Sequence, residues 1–451
     1  MKTITRRLAA LAAAPLLAGA LVAVPGSAQA ASPNATSAGY WLGQQLSEGL
    51  IFNEQYEYND YGLTIDVLQA LLDTDTQPAK RTEIVSALRE RVNEYTSAGG
   101  TGKFITAVQD AGAVPTSFGG VNLVQRLEDK IVGSDDPEAG RGRDYVGDFS
   151  STLTQSLIVR GLSGVDSNKA AAAVSYLLKQ QCADGGFREA MFTEAVADDP
   201  ETPFDDSREA VDRTCGDSTT AGDDGETVDA TAFAVRALIE AKIGAEVPDV
   251  QAPLSRAVLY LLKQQQADGS FRNDGASNSN STGLAAAALS VYGKAGPADL
   301  AAAWLVKRQA TKAAATGNQL AGELGAIAFD NNALADGKAD GIGVPDRDQW
   351  IRATSQAAAG IDALLPAKKL SIKPKYSTRP RSAQQLVTVT GLAAGEKVTV
   401  YTLGKTLKGQ ANASGVWSTR FTVGTSLGTK VVRAFGQNAK RVGESTFVVV
   451  K

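Results

Sequence analysis

The sequence predicts a two-part chain, a closed ring of about six α-helix pairs followed by a β-sandwich, and three observations predict it. The segment LLKQQCADGGFRE at 177–189 returns as LLKQQQADGSFRN at 261–273, with a fainter copy, LGQQLSEGLI, at 42–51. A second register recurs in which a Thr precedes a Leu by seven positions, as in Thr64 to Leu71, Thr231 to Leu238 and Thr282 to Leu289. The Ala-rich composition then stops at Pro366, and alternating apolar segments take over. A fixed internal period is the signature of stacked, repeated supersecondary units.

The first 30 residues hold Lys2, Arg6 and Arg7, an apolar run from Leu8 to Val24, and small residues Ala28 and Ala30 at the end. This is the pattern of a secretory signal peptide. The run is broken by Pro15 and Gly19, and no later stretch approaches the ~20 apolar residues of a membrane span. The expectation is a secreted, extracellular chain without a transmembrane anchor. Loss of the three leader cations takes the formal charge from −4 to −7. Nucleic acid is therefore excluded as a partner, because its phosphates demand a basic surface.

Residues 31–366 carry the ring. Each repeat has an outer helix ending in Leu-Leu-x-Gln-Gln, then an acid-Gly step that stops it, because Gly takes the left-handed conformation readily. Phe187 and Phe271 turn the connection back onto the core. A second, inner helix follows, and TIDVLQAL, TAFAVRAL and TGLAAAAL are apolar nearly all round, the mark of a helix buried on every side. The template places pairs at about 38–73, 81–113, 119–163, 168–242, 250–293 and 297–329, with a closing helix at 346–365. An open superhelix of helix pairs carries the same local pattern, and the count of six argues for closure.

Residues 367–451 show alternation at 386–392, 397–403, 416–423, 429–435 and 445–450, separated by turn residues such as Gly395, Asn412, Gly415, Gly428 and Gly436. This predicts a β-sandwich without a disulfide. The two cysteines of the chain, Cys182 and Cys215, are read as one disulfide in an oxidising compartment.

The paired-Gln, acid-Gly, Phe pattern resembles the QW-type repeat of terpenoid cyclases, and residues 38–365 resemble the α/α toroid those enzymes share with protein prenyltransferases. The segment GLAAGEKVTVYTLGKTLKGQANASGVWSTRFTV resembles the Ig-like modules of secreted bacterial proteins. The resemblance implies a fold and leaves the reaction to the site.

The chain contains no histidine. That removes a Ser-His-Asp triad and the Asp, Cys and His zinc set of the prenyltransferases. In the cyclases a DxDD motif precedes Thr-Ala on an inner helix, and the resemblance places the protonating acid on Asp229, before Thr231-Ala232. The companion acids are replaced by Thr227 and Ala230. A carboxylate in the first turn of a helix, favoured by the helix dipole, is the plainer reading of Asp229. A facing carboxylate pair of the glycosidase type, such as Asp66 with Asp229, is the third arrangement the residues allow.

From Glu194 to Glu226 the chain places twelve carboxylates against Arg208 and Arg213. Asp223, Asp224 and Glu226 could supply oxygen ligands to calcium; without EF-hand spacing, a solvated acidic loop is the simpler reading, and no other cofactor is expected. The function read from these residues is a non-catalytic binding or scaffold protein of the bacterial cell envelope, its ligand an isoprenoid or a cell-wall glycan. A cyclase-like enzyme using Asp229, or a small-molecule carrier, are the alternatives.

Overall fold

The computed structural model describes residues 32–144, 150–191, 214–215, 225–241, 250–273, 275–362, 370–392, 396–436 and 442–451. The leader and the Pro366 boundary lie outside them. Six outer helices are α1 (Pro33–Gln44), α3 (Pro78–Glu90), α5 (Leu123–Glu128), α7 (Ala170–Lys179), α9 (Gln251–Gln264) and α11 (Ala295–Val306). Six inner helices are α2 (Tyr61–Asp73), α4 (Ala98–Asp110), α6 (Thr152–Gly164), α8 (Val228–Ala241), α10 (Ser279–Tyr292) and α14 (Val344–Ile361). Each inner helix packs on the next, and α14 packs on α2. The ring is closed.

The sixth pair departs from expectation. The inner partner of α11 is α14, and the intervening chain makes α12 (Lys312–Ala315), a 3-10 turn at Gln319–Gly322 and α13 (Asn331–Asp340). Between the end of α11 and residue 329 there is no inner helix, and the expected closing helix is itself the sixth inner helix.

Two kinds of side chain repeat the same work at several seams. The Nε2 of Gln181 donates to the Gly185 carbonyl at 3.0 Å and to the Pro253 carbonyl of the next outer helix at 2.8 Å. Gln265 does the same with Gly269 (3.1 Å) and Pro297 (2.8 Å), and Gln309 with Gly325 (3.1 Å) and Asn34 (2.9 Å). The last of these joins α11 to α1. Gly185 has a φ of 99°, and a Cβ there would stand 2.6 Å from the Arg256 carbonyl oxygen, so only glycine fits this turn.

The register threonines hold the other side of the seam. Thr64, Thr231 and Thr282 each accept, through Oγ1, the backbone N–H of Ile51, Phe187 or Phe271 at 2.9–3.0 Å. Thr354 of α14 takes the N–H of Ile327 at 2.9 Å in the same way. These donors are buried, so the hydroxyls remove a penalty of about 1–3 kcal/mol each. Phe187 and Phe271 are fully buried, as expected of them.

Inner helices start on matched caps. Asp60, Ser97, Ser151 and Asn278 accept the N–H three residues on, satisfying a donor the helix leaves open. Glycine then brings neighbours together: a Cβ on Gly102 would lie 2.7 Å from the Ile158 Cα, and one on Gly283 would lie 2.5 Å from the Ala357 Cα.

Beyond the ring, β8 (Ser371–Pro374), β10 (Gln384–Thr390) and β13 (Val416–Thr422) form one sheet, ordered β13-β10-β8. A second sheet is ordered β12-β11-β14-β15-β9, from β9 (Thr378–Pro380), β11 (Lys397–Thr402), β12 (Lys405–Gln410), β14 (Gly428–Gly436) and β15 (Val442–Val450). Val387, Val389 and Phe421 of the first share a core with Val400, Val432, Phe447 and Val449 of the second. All five expected strands form. The unexpected β8, β9 and β12 are edge strands carrying Pro or Lys, which blunts their apolar alternation and protects an edge. Among the described residues, no helix is long and apolar enough to cross a membrane.

Candidate functional site

The threonine register fixes which inner-helix residues face the centre. Thr64, Thr101, Thr231 and Thr282 are each the fourth residue of their helix, and Gln155 holds that place in α6, where its Oε1 accepts the Gly142 N–H at 3.0 Å. Thr354 sets the register in α14, which starts about two turns earlier. In α8 the partly exposed residues include Asp229, Phe233, Arg236 and Glu240, at i, i+4, i+7 and i+11, between buried neighbours. In α2 the equivalent residues are Gly62, Asp66, Gln69 and Asp73, again partly exposed. A helix walled on both flanks and its back keeps such a stripe open only toward the bore.

Four layers of side chains line that bore. The first, at the end where the inner helices begin, holds Leu153, Asp229, Asn280 and Arg352, with Gly62 and Gly99 completing it. The second holds Asp66, Lys103, Leu157, Phe233, Leu284 and Gln356. The third holds Gln69, Thr106, Arg160, Arg236, Ala287 and Ala359, and the fourth Asp73, Asp110, Gly164, Glu240 and Val291.

At the end where the inner helices finish, the charges interlock. Arg236 of α8 reaches Asp73 of α2 at 3.2 Å, and these two helices stand opposite one another in the ring. Arg160 donates through Nε to both oxygens of Glu240 at 3.0 Å. Gln69 donates to Asp73 at 2.9 Å and to Asp110 at 3.0 Å. Protein crowding and the nearby Glu240 push the Asp110 carboxyl up to about 7, against the opposing pull of Arg160. Burial disfavours the Arg160 charge, yet Glu240 and Asp110 hold its guanidinium firmly protonated.

At the other mouth, Lys103 pairs with Asp66 at 2.6 Å and donates to the Gly62 carbonyl at 2.8 Å. Arg352 joins Asp60 to Asp348, the latter at 2.7 Å. The absent Cβ of Gly62 leaves room for the Tyr95 hydroxyl, which would stand 3.1 Å from it. Burial raises the Tyr95 pKa, with Asp66 and Asp60 adding to the rise against Lys103 and Arg352. A ribbon of β1 (Leu46–Ser47), β2 (Leu50–Asn53) and β3 (Tyr58–Asn59) stands at this rim, between α1 and α2.

The expected site residues fall unevenly on this frame. Asp229 lies in the first turn of α8, half-buried, and lines the first layer; the helix cap is Thr227, whose Oγ1 accepts the Ala230 N–H at 3.1 Å. Asp66 lines the next layer on the opposite helix and is held by Lys103. Glu226 lies in β5 (Glu226–Thr227), across from Arg188 of β4 (Phe187–Arg188), while Asp223 and Asp224 lie outside the described residues. Cys182 and Cys215 are disulfide-bonded, and the Cys215 N–H donates to the Lys179 carbonyl at 2.9 Å. The sequence reading missed Lys103, Arg160, Arg236, Asp110 and Glu240. Their signal was the threonine register itself, extended down each helix in steps of three and four.

No protein-family model matches the chain, and a search of curated proteins found no match. Among solved structures it is similar to ent-copalyl diphosphate synthase from Streptomyces platensis, at 14% identity and a TM-score of 0.42, covering 67% of this chain and 50% of that one. The chain thus spans half the length of the synthase. It is also similar to a protein from Actinoplanes (14% identity, TM-score 0.47, 73% of this chain, 98% of that one). An inactive variant of an α-1,6-mannanase from Salegentibacter, in complex with α-1,6-mannotriose, gives 11% identity and a TM-score of 0.45 over 73% of this chain and 98% of the mannanase. With every one of these scores below 0.5, the fold rests on the packing described above.

Proposed function

We propose that this chain is an exported, non-catalytic binding protein of the cell envelope, a toroid of the terpenoid-cyclase type whose bore takes a polar ligand, carried beside an Ig-like module. One observation supports the reading: the bore is lined by ionic groups at both ends, and the Arg236–Asp73 pair crosses it between opposite helices. A carbocation cascade on an isoprenoid needs an apolar chamber and an acid tuned by partners that hold its proton. The Arg236–Asp73 pair interrupts any such chamber, and Asp229 shares its layer with Leu153, Asn280 and Arg352. The leader and the Ig-like module favour a place outside the cell.

Incubating the purified chain with squalene and with linear isoprenoid diphosphates tests this directly. No product is expected, and Asp229→Asn should move the melting temperature by less than about 2 °C, as a half-exposed substitution away from buried networks does. Product formation that Asp229→Asn abolishes would establish the cyclase-like enzyme in its place. A melting temperature raised by calcium in the parent chain and not in an Asp223→Asn/Asp224→Asn variant would assign an ion to the acidic 194–226 segment.

A further inference from the structure

At the mouth where the inner helices begin, ordered ionic groups stand beside exposed aromatic rings. Tyr56 is 68% exposed and Tyr58 is 45% exposed, both on the rim ribbon. Tyr58 lies within electrostatic reach of Asp60, Asp348, Arg352 and Tyr56, and Tyr95 within reach of Lys103, Asp66, Asp60 and Arg352. The sector from α14 through α2 to α4 therefore joins two open rings, one half-buried ring and two ion-pair clusters.

The ionic groups are fixed before any ligand arrives. Asp66 is clamped by Lys103, which the Gly62 carbonyl also holds, and Asp60 and Asp348 share Arg352. A carboxylate has about four lone-pair positions, so each retains capacity to accept further hydroxyl donors at little ordering cost. The three side-chain carboxylates keep some solvent contact, at 28% for Asp66, 30% for Asp348 and 12% for Asp60.

Charge and polarity select the ligand class. Three carboxylates against two cations leave the cluster net acidic, and Glu54 and Glu57 on the ribbon add to that sign. A phosphorylated or uronate-rich chain would be repelled. An apolar chain would strip water from the Asp66–Lys103 pair without replacing its hydrogen bonds, at the cost that unpaired buried charge carries. A neutral, hydroxyl-rich chain meets both demands, since its hydroxyls donate to the fixed carboxylates and its C–H faces stack on tyrosine rings.

We infer that this mouth binds an uncharged saccharide chain, with Tyr56 and Tyr58 as stacking platforms and Asp66 and Asp348 as hydroxyl acceptors. The inference rests on the binding-protein reading and names its ligand class.

The test is retention of the full chain on insoluble chitin, α-mannan and β-1,3-glucan, with polygalacturonate as the anionic counterpart. Retention on at least one neutral polymer is expected, weakened at least tenfold by the Tyr56→Ala/Tyr58→Ala double variant and by Asp348→Ala. Because both tyrosines are exposed, circular dichroism should report an unchanged fold, and Tyr40→Ala, an exposed ring on α1, should leave retention unchanged. Retention on no neutral polymer, retention indifferent to the tyrosine pair, or preference for polygalacturonate would each overturn the inference and leave the binding-protein reading standing. Release of reducing ends from a bound polymer would do the opposite: it upholds the mouth as the saccharide site and defeats the non-catalytic reading.

Discussion

The seams between repeats and the bore they surround follow opposite rules. At most seams the same residue type does the same work: Gln181, Gln265 and Gln309 clamp successive outer helices, and Thr64, Thr231, Thr282 and Thr354 cap the returning chain. In the bore no helix repeats another. The second layer alone runs from Asp66 and Lys103 through Leu157 and Phe233 to Gln356. Repetition belongs to the positions that build the ring, and variation to the positions a ligand would touch. The glutamines stand at the ends of outer helices, whereas each seam threonine shares an inner helix with bore residues and stands two positions from the nearest.

Breaking the seam should therefore cost far more than altering the bore. The largest effect is expected from Gly283→Leu, whose side chain would have to occupy the space of the Ala357 backbone, 2.5 Å from its Cβ. Overpacking against side chains costs about 1–3 kcal/mol, and here the obstacle is backbone, so soluble yield should collapse. Gly102→Leu, at the equivalent contact of α4 with α6, should behave alike. Next comes Gln309→Ala, which leaves the Asn34 and Gly325 carbonyls without this donor where the ring closes. A loss of about 1–3 kcal/mol, read from urea unfolding, is expected, and a similar loss from Gln265→Ala would show that the closing seam is no stronger than an internal one.

How much could be read beforehand follows from the same division. The Gln-Gly spacing of 4 in two repeats exposed those seams at once, whereas Gln309 and Gly325 stand 16 apart because α12 and the 3-10 turn intervene. That insertion is why the sixth pair was misplaced. Gln155 hid a second seam: its amide donates to the carbonyls of Gly140 and Ala173 while its Oε1 does the threonine's work, so neither motif is visible in the α5–α6 repeat. The bore was illegible for a different reason. Asp66 and Arg236 are isolated charges in segments that read as apolar nearly all round, and only closure of the ring brings them, with Lys103 and Arg160, onto one inner face.

Within the bore, the cross-ring pair should matter more than any single mouth residue. Asp73→Ala leaves Arg236, which is 13% exposed, without its carboxylate on the opposite helix. Removing one partner of a fully buried pair costs about 3–5 kcal/mol, but both side chains of this one keep some exposure, 13% for Arg236 and 11% for Asp73, so about 1–2 kcal/mol is expected. Asp73→Asn should recover part of that loss, since an amide oxygen can still accept from the guanidinium and from Gln69.

The smallest effect, and the one that separates bore from seam most cleanly, is a pH dependence. Asp110 titrates near 7 in the folded chain against 3.8 for an unperturbed aspartate. Below pH 4 both the folded and the unfolded chain hold this proton, and the stabilisation from proton binding is fully present. As pH rises from about 4 to about 7 the unfolded chain releases the proton and the folded chain keeps it, so stability falls. Above 7 both forms are ionised and the dependence ends. Asp110 keeps solvent contact at the mouth of the bore, so screening makes the drop shallower than the separation of the two values implies. Urea midpoints measured from pH 4 to pH 8 should decline less in Asp110→Asn than in the parent chain, while Gln265→Ala, a seam substitution with no titrating group, should shift every midpoint by the same amount. A slope unchanged by Asp110→Asn would mean that the proton resides on another member of the network, with Glu240 the next carboxylate to replace.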